Sequence, residues 1–77
     1  MVTAFVLINV ENKSYQKLVD KLNELDGVEE VHLVAGEYDM VAVVKVESNE
    51  VLSRLLTDSI THIPGIRHTK TLISLRS

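Results

Sequence analysis

Shifting the chain by 38 positions, with no gap, lays its first half on its second. Ala4 falls on Ala42, Val6 on Val44, Leu18 on Leu56, Asp20 on Asp58 and Gly27 on Gly65. Conservative pairs fill the frame: Ile8 with Val46, Leu22 with Ile60, Leu25 with Ile63, Val28 with Ile66. A duplicated unit restricts topology, because both copies must fold alike and share one core. Each copy reads strand, helix, strand. Ala4 to Val10 is rich in β-branched residues and free of breakers, the pattern of a buried strand. From Ser14 to Leu25 the apolar residues stand at 15, 18, 19, 22 and 25, the spacing of an amphipathic helix. Asp26-Gly27 stops it, since glycine enters the left-handed region past a helix end. Val28 to Ala35 alternates Val31, Leu33 and Ala35 against Glu30, His32 and Val34, which predicts a strand. Met40 to Val46 is the first strand of the second copy. Ser48-Asn49-Glu50 caps a second helix with apolar positions 52, 55, 56, 60 and 63. Pro64-Gly65 ends that helix, and the Thr-rich run Ile66 to Leu75 is the last strand. Gly36-Glu37-Tyr38-Asp39 is the turn of a hairpin between strands 2 and 3.

Two βαβ units with right-handed crossovers predict an α+β, ferredoxin-like βαββαβ fold. The antiparallel sheet takes the order 4-1-3-2, with both helices on one face. Strand 1 is apolar on both sides, Ala4, Val6, Ile8 and Val10 against Phe5 and Leu7. Strand 3 repeats this with Met40, Ala42, Val44 and Val46 against Val41 and Val43. Two helices cover one face, so the other needs a second cover. At 77 residues the chain is a single domain, 1–77, too small to supply that cover itself. It has no cysteine, which removes disulfides, zinc-thiolate sites and Cys nucleophiles. A partner chain is the remaining remedy, in its simplest form a two-fold homodimer with sheets face to face, a dimeric α/β barrel.

Composition excludes further classes. Lys and Arg number 8 against 11 Asp and Glu, for a net charge of −3, which argues against tight nucleic-acid binding. No stretch has the ~20 apolar residues of a membrane span, and the first strand lacks the flanks of a signal peptide. The absence of cysteine fits a reducing cytoplasm. His32, His62 and His68 do not share the spacing of a chelating pair, so no metal site is expected. No nucleophile elbow or phosphate-cradling glycine loop occurs, and no cofactor is implied. Strand 3 has no aromatic on which a base could stack, unlike RNA-binding domains of the same element order. Arg67, His68 and Lys70 read as a solvated edge of strand 4. The turn 36–39 stands out, with two carboxylates and a phenol between buried strands. Its ordinary role is a turn in which Gly36 supplies positive φ, Asp39 caps and Tyr38 covers the rim. The same groups could hold an ammonium and a carboxylate.

Taken in order, Gly27-Val28-Glu29-Glu30-Val31, Ala35-Gly36-Glu37-Tyr38-Asp39-Met40, Ile63-Pro64-Gly65-Ile66 and Thr69-Lys70-Thr71-Leu72-Ile73 resemble the effector domain of Lrp/AsnC transcription regulators. The resemblance covers nearly the whole chain. It implies a βαββαβ domain that dimerises through its sheet, assembles further, often into octamers, and binds an amino acid between dimers. Carried over by position, it implies ligand-binding roles for Gly36, Glu37, Tyr38 and Asp39, and weaker ones for Thr69 and Thr71. Asp39 or Glu37 would hold the ammonium and loop N–H groups the carboxylate. Full regulators carry an N-terminal helix-turn-helix domain. Here the first strand starts within a few residues of Met1, so the expectation is a stand-alone effector domain. Such a domain would not bind DNA itself and would act by sensing an amino acid or by mixed assembly with full-length regulators.

Two rival readings remain at this level. ACT domains are amino-acid sensors with the same element order, but carry a Pro-Gly-type turn where this chain has Glu11-Asn12-Lys13-Ser14. Small dimeric α+β barrel monooxygenases and isomerases share the chain order and place His, Tyr, Asn or Trp inside. Here the inward positions are Val, Leu and Ile, with only Tyr15 and Asn9 as nearby polar groups. The expectation is therefore a non-enzyme, with a purely structural assembly module as the other alternative.

Overall fold

The near-continuous apolar run of the first strand places it in the middle of the sheet. The computed structural model describes residues 1–11 and 15–76. In it β1 (Val2–Val10) pairs antiparallel with β3 (Met40–Val46) on one side and β4 (Ile66–Ile73) on the other. β2 (Val28–Leu33) pairs with β3 and completes the order β2-β3-β1-β4. α1 (Tyr15–Asn23) and α2 (Asn49–Arg54) follow β1 and β3. This is the expected ferredoxin-like arrangement with the expected strand order.

The core forms on the helix side of the sheet. The cross-strand pairs Ile8–Met40, Val6–Ala42 and Ala4–Val44 are fully buried. They form one cluster with Leu18 and Leu22 of α1 and with Leu52, Leu55 and Ile60. The alternate pairs Phe5–Val43 and Leu7–Val41 face away from the helices and are only partly buried, Phe5 being 37% exposed. Cross-strand register extends these rows to Leu72 and Lys70 on β4 and to Glu30 and His32 on β2. The open face thus has an apolar centre and charged margins.

The internal repeat survives as geometry. Gly27 and Gly65 both follow the helical segments with positive φ, +101° and +99°. Each carbonyl accepts a backbone bond from another element, Gly27 from Lys45 N (2.8 Å) and Gly65 from Glu11 N (2.9 Å). The second helix departs from its copy. Ser48 caps it as expected, its Oγ accepting from Val51 N at 3.2 Å. Beyond Arg54 the chain widens into a π-helical stretch, Leu55–Ser59, and closes with a 3-10 turn, Ile60–His62. The Ile60 N–H reaches back to Leu55 O. That wider step lets Leu55 and Ile60, five positions apart, both enter the core, while Leu56 is left half-buried.

The strand ends are shorter than the sequence pattern suggests. β2 ends at Leu33, not Ala35, because the chain turns after the single bond from Val34 N to Asp39 O (3.0 Å). β4 ends at Ile73, not Leu75, where Ser74 N donates to Thr3 O (2.8 Å) and Leu75 stands free. α1 ends at Asn23 rather than Leu25. The expected helix start at Ser14 and most of the turn before it lie outside the described residues.

A Cβ at Gly27 would lie 2.8 Å from Val46 Cγ1, in a backbone conformation that L-residues avoid. Gly36, at φ +142°, has nothing within 4 Å of such a Cβ. Gly27→Ala is therefore expected to cost about 2–4 kcal/mol, strain plus overpacking, and Gly36→Ala about 1 kcal/mol from strain alone. Urea denaturation of the two variants measures the difference.

Candidate functional site

Asp39 ends the loop from β2 to β3 and is tied to its neighbours by three bonds. Its carbonyl accepts from Val34 N, its N–H donates to Ile8 O at 2.9 Å, and its Oδ2 accepts from Val10 N–H at 2.9 Å. The last bond takes up a backbone donor beyond the final β1–β3 pair, Ile8–Met40. Asp39 thus caps the end of β1, and does not cap its own turn as the sequence suggested. It leaves Oδ1 without a protein donor among the described residues.

The same end of β1 carries a bulge. Asn9 pairs with His68 and Val10 with Ile66, so Arg67 is the extra residue on β4. His68 lies opposite Asn9 in the regular ladder, and the bulge leaves Arg67 unpaired beside it. Together with Val10 and Asp39 they line an open cleft of about 450 Å³, on the end of the helix-free face. Arg67 and Asp39 share the cleft without pairing. Among the described residues the ion pairs within 4.0 Å are His32–Glu30 and Arg54–Glu50. An unpaired cation and a carboxylate with a free oxygen therefore face one solvent-filled space. That arrangement can take up a small group carrying both charges.

The residues expected to form the site are not all brought together. Asp39 lines the cleft. Gly36 and Glu37 lie exposed on the loop, Tyr38 is half-buried beside Asp39, and none of the three lines the cleft. Thr69 and Thr71 pair with the fully buried Ile8 and Val6, so they belong to the helix side of β4, opposite the row Asn9–His68. Asn9, Arg67 and His68 were not among the expected ligand residues. The dipeptide Arg67-His68 was visible as a basic patch, but only the bulge sets it beside a loop some thirty residues away.

A larger cleft, about 630 Å³, lies between α1 and the Pro64-Gly65 turn. Its rim is Lys17, Asp20, Lys21 and Glu24, exposed charges of both signs along one helix, above Leu18 and Pro64. Among the described residues no buried side-chain polar atom is left without a hydrogen-bond partner. No group of three or more His, Cys, Asp or Glu suited to a metal ion occurs among the described residues. His32 Nε2 instead lies 2.8 Å from Glu30 Oε1 at the exposed β2 edge. No described helix is long and apolar enough to cross a membrane.

Comparison with known proteins fixes the family. Residues 3–77 match the model of the Lrp/AsnC ligand-binding domain. The chain belongs to this family. It is 35% identical over 75 residues to the HTH-type transcriptional regulator PH1916 of Pyrococcus horikoshii, covering 94% of this chain and 50% of that protein. The chain spans about half the length of the curated relatives it matches. Its structure is similar to that of TTHA0845 from Thermus thermophilus (TM-score 0.93, 39% identity, 100% of this chain and 96% of that one). It is also similar to the feast or famine regulatory protein Rv3291c of M. tuberculosis complexed with L-methionine (TM-score 0.83, 31% identity, 100% and 52%). This Lrp/AsnC ligand-binding domain therefore has transcriptional regulators as relatives and a neighbour solved with an amino acid bound.

Asp39→Ala removes the acceptor of Val10 N–H and is expected to cost about 1–2 kcal/mol of stability. Asp39→Asn keeps an acceptor oxygen and should cost less. Chemical denaturation, with amide exchange at Val10 read by NMR, checks both.

Proposed function

We propose that this chain is an amino-acid-binding domain that works as a dimer, with the ligand in the cleft at the β1–β4 bulge. The observation that carries the reading is the pair of opposite charges, Asp39 and Arg67, lining one cleft unbridged. A free α-amino acid presents an ammonium and a carboxylate on one carbon and can span that gap. Asp39 Oδ1 takes the ammonium, while Oδ2 stays on Val10 N–H. Arg67 takes the carboxylate in place of the loop amides, because a guanidinium grips a carboxylate in a fork. Gly36, Glu37 and Tyr38 enter as the loop that holds Asp39. Thr69 and Thr71 drop out of the reading because they face the other way. The family's description as a ligand-binding domain and the L-methionine complex of a relative support the choice of ligand class.

The open sheet face supports the dimer. Phe5, Leu7, Val41, Val43 and Leu72 form an apolar surface that no described helix covers. An antiparallel sheet with apolar residues on both faces is stable in water when both are covered, and a second copy offers a self-complementary cover. The cleft opens at the end of this face, so the partner would border it. Dimers built this way can associate further, up to an octamer. Mixed assembly through the same face with a full-length HTH-type relative would pass ligand occupancy to a DNA-binding protein, with no DNA contact by this chain. The reading involves no chemical reaction. It places the protein in the cytoplasm, where amino-acid pools and transcription meet.

A thermal-shift panel of the twenty amino acids tests the ligand. Occupancy at ~100 times the dissociation constant adds about 2.7 kcal/mol, and each kcal/mol moves the midpoint of so small a domain by about 4–8 °C. A selective shift is expected. Arg67→Ala should abolish it while moving the unliganded midpoint by less than about 4 °C, since Arg67 makes no ion pair among the described residues. A flat panel would sink amino-acid binding and leave assembly as the function. For the dimer, light scattering at tens of micromolar should give a mass of two chains or a multiple. Val43→Glu should give one chain, and a monomeric parent protein would refute the interface.

A further inference from the structure

We infer that the side chain of the bound amino acid is itself polar and ends in an amide or a carboxylate. The inference rests on the amino-acid reading above and narrows it. Once Asp39 holds the ammonium and Arg67 the carboxylate, the cleft has three lining residues left: Asn9, His68 and Val10. Neither the Asn9 amide nor the His68 ring makes a hydrogen bond to another described residue. They sit directly opposite one another across β1 and β4, which puts both side chains on the same face of the sheet. The N–H of Val10 is already given to Asp39. The surface that this chain itself leaves to read a ligand's side chain is therefore one carboxamide and one imidazole, both rich in donor and acceptor capacity.

The balance of interactions follows from that lining. A methionine or leucine side chain would displace water from Asn9 and His68 and return no hydrogen bond, and polar groups stripped of water without a partner oppose binding. On this chain it would find a single aliphatic lining residue, Val10. An amide or carboxylate at the end of a two- or three-carbon side chain replaces the lost water on both groups. Sites built around polar partners discriminate strongly against ligands that leave those partners empty. Glycine, with no side chain, reports the Asp39 and Arg67 contacts alone and sets the baseline.

Calorimetric titration of the intact protein with glutamine, asparagine, glutamate, aspartate, glycine, methionine and leucine tests this. At least one of the four polar ligands should bind about tenfold or more tighter than glycine and than methionine, with amides and acids separated by their own arms. Asn9→Ala and His68→Ala should each narrow the ratio of polar ligand to glycine towards one, with the fold checked by circular dichroism. If methionine or leucine binds as tightly as the best polar ligand, the inference is overturned and the amino-acid reading stands. A polar-to-glycine ratio untouched by both substitutions also overturns it. If no amino acid binds, the amino-acid reading falls and this inference with it.

Discussion

Everything in this structure leans on a sheet whose two central strands are apolar on both sides. Only one side is paired with helices. Ala4, Val6, Ile8, Met40, Ala42 and Val44 are fully buried there. The opposite rows, Phe5–Val43 and Leu7–Val41, have no helix over them among the described residues and are only partly buried. So small a domain has few reserves, since it buries only about 60–65% of its unfolded surface. The uncovered face is therefore both a liability and the surface through which a partner can complete the core.

The candidate site follows from how β1 ends. A regular ladder would set Arg67 opposite Val10, but the slip between Asn9 and Val10 leaves it unpaired, and it lines the cleft together with Asp39. The carboxylate that terminates β1 by taking the Val10 N–H belongs to a residue lining the cleft, and its other oxygen accepts no bond among the described residues. One residue thus closes the backbone of β1 and lines the candidate site. A ligand bound as proposed would act directly on the junction of β1, β3 and β4, at the margin of the face a second chain would cover. On the proposed reading, a change in occupancy would bias assembly and so pass a signal on.

Much of the fold was legible because its determinants are local. Apolar period, the caps Ser48 and Gly27, and the Pro64-Gly65 stop specify elements from a few neighbours each. The repeat then doubles the evidence for their order. Helix 2 was legible in extent and not in form. Its apolar positions 52, 55, 56, 60 and 63 fit an ordinary helix, and only packing chose Leu55 and Ile60 over Leu56 by opening a π turn. The site was less legible. Gly36 to Asp39 drew notice as a cluster in sequence, yet Asp39 alone lines the cleft. Thr69 and Thr71 sit two residues apart on β4, and strand alternation sends both to the helix side.

The sequence by itself determined the element order, the sheet topology, the half-covered sheet and the family, because these rest on periodicities and motifs read along the chain. Tertiary structure alone decided which charged groups share a space. His68 meets Asn9 across the β1–β4 ladder, Arg67 joins them in the cleft lining at a one-residue bulge, and a one-residue slip in register reverses the face to which a strand side chain points. No local pattern encodes that slip. It emerges when β1, β3 and β4 settle their hydrogen bonds together, and it turns a solvated basic edge into one wall of a charged cleft.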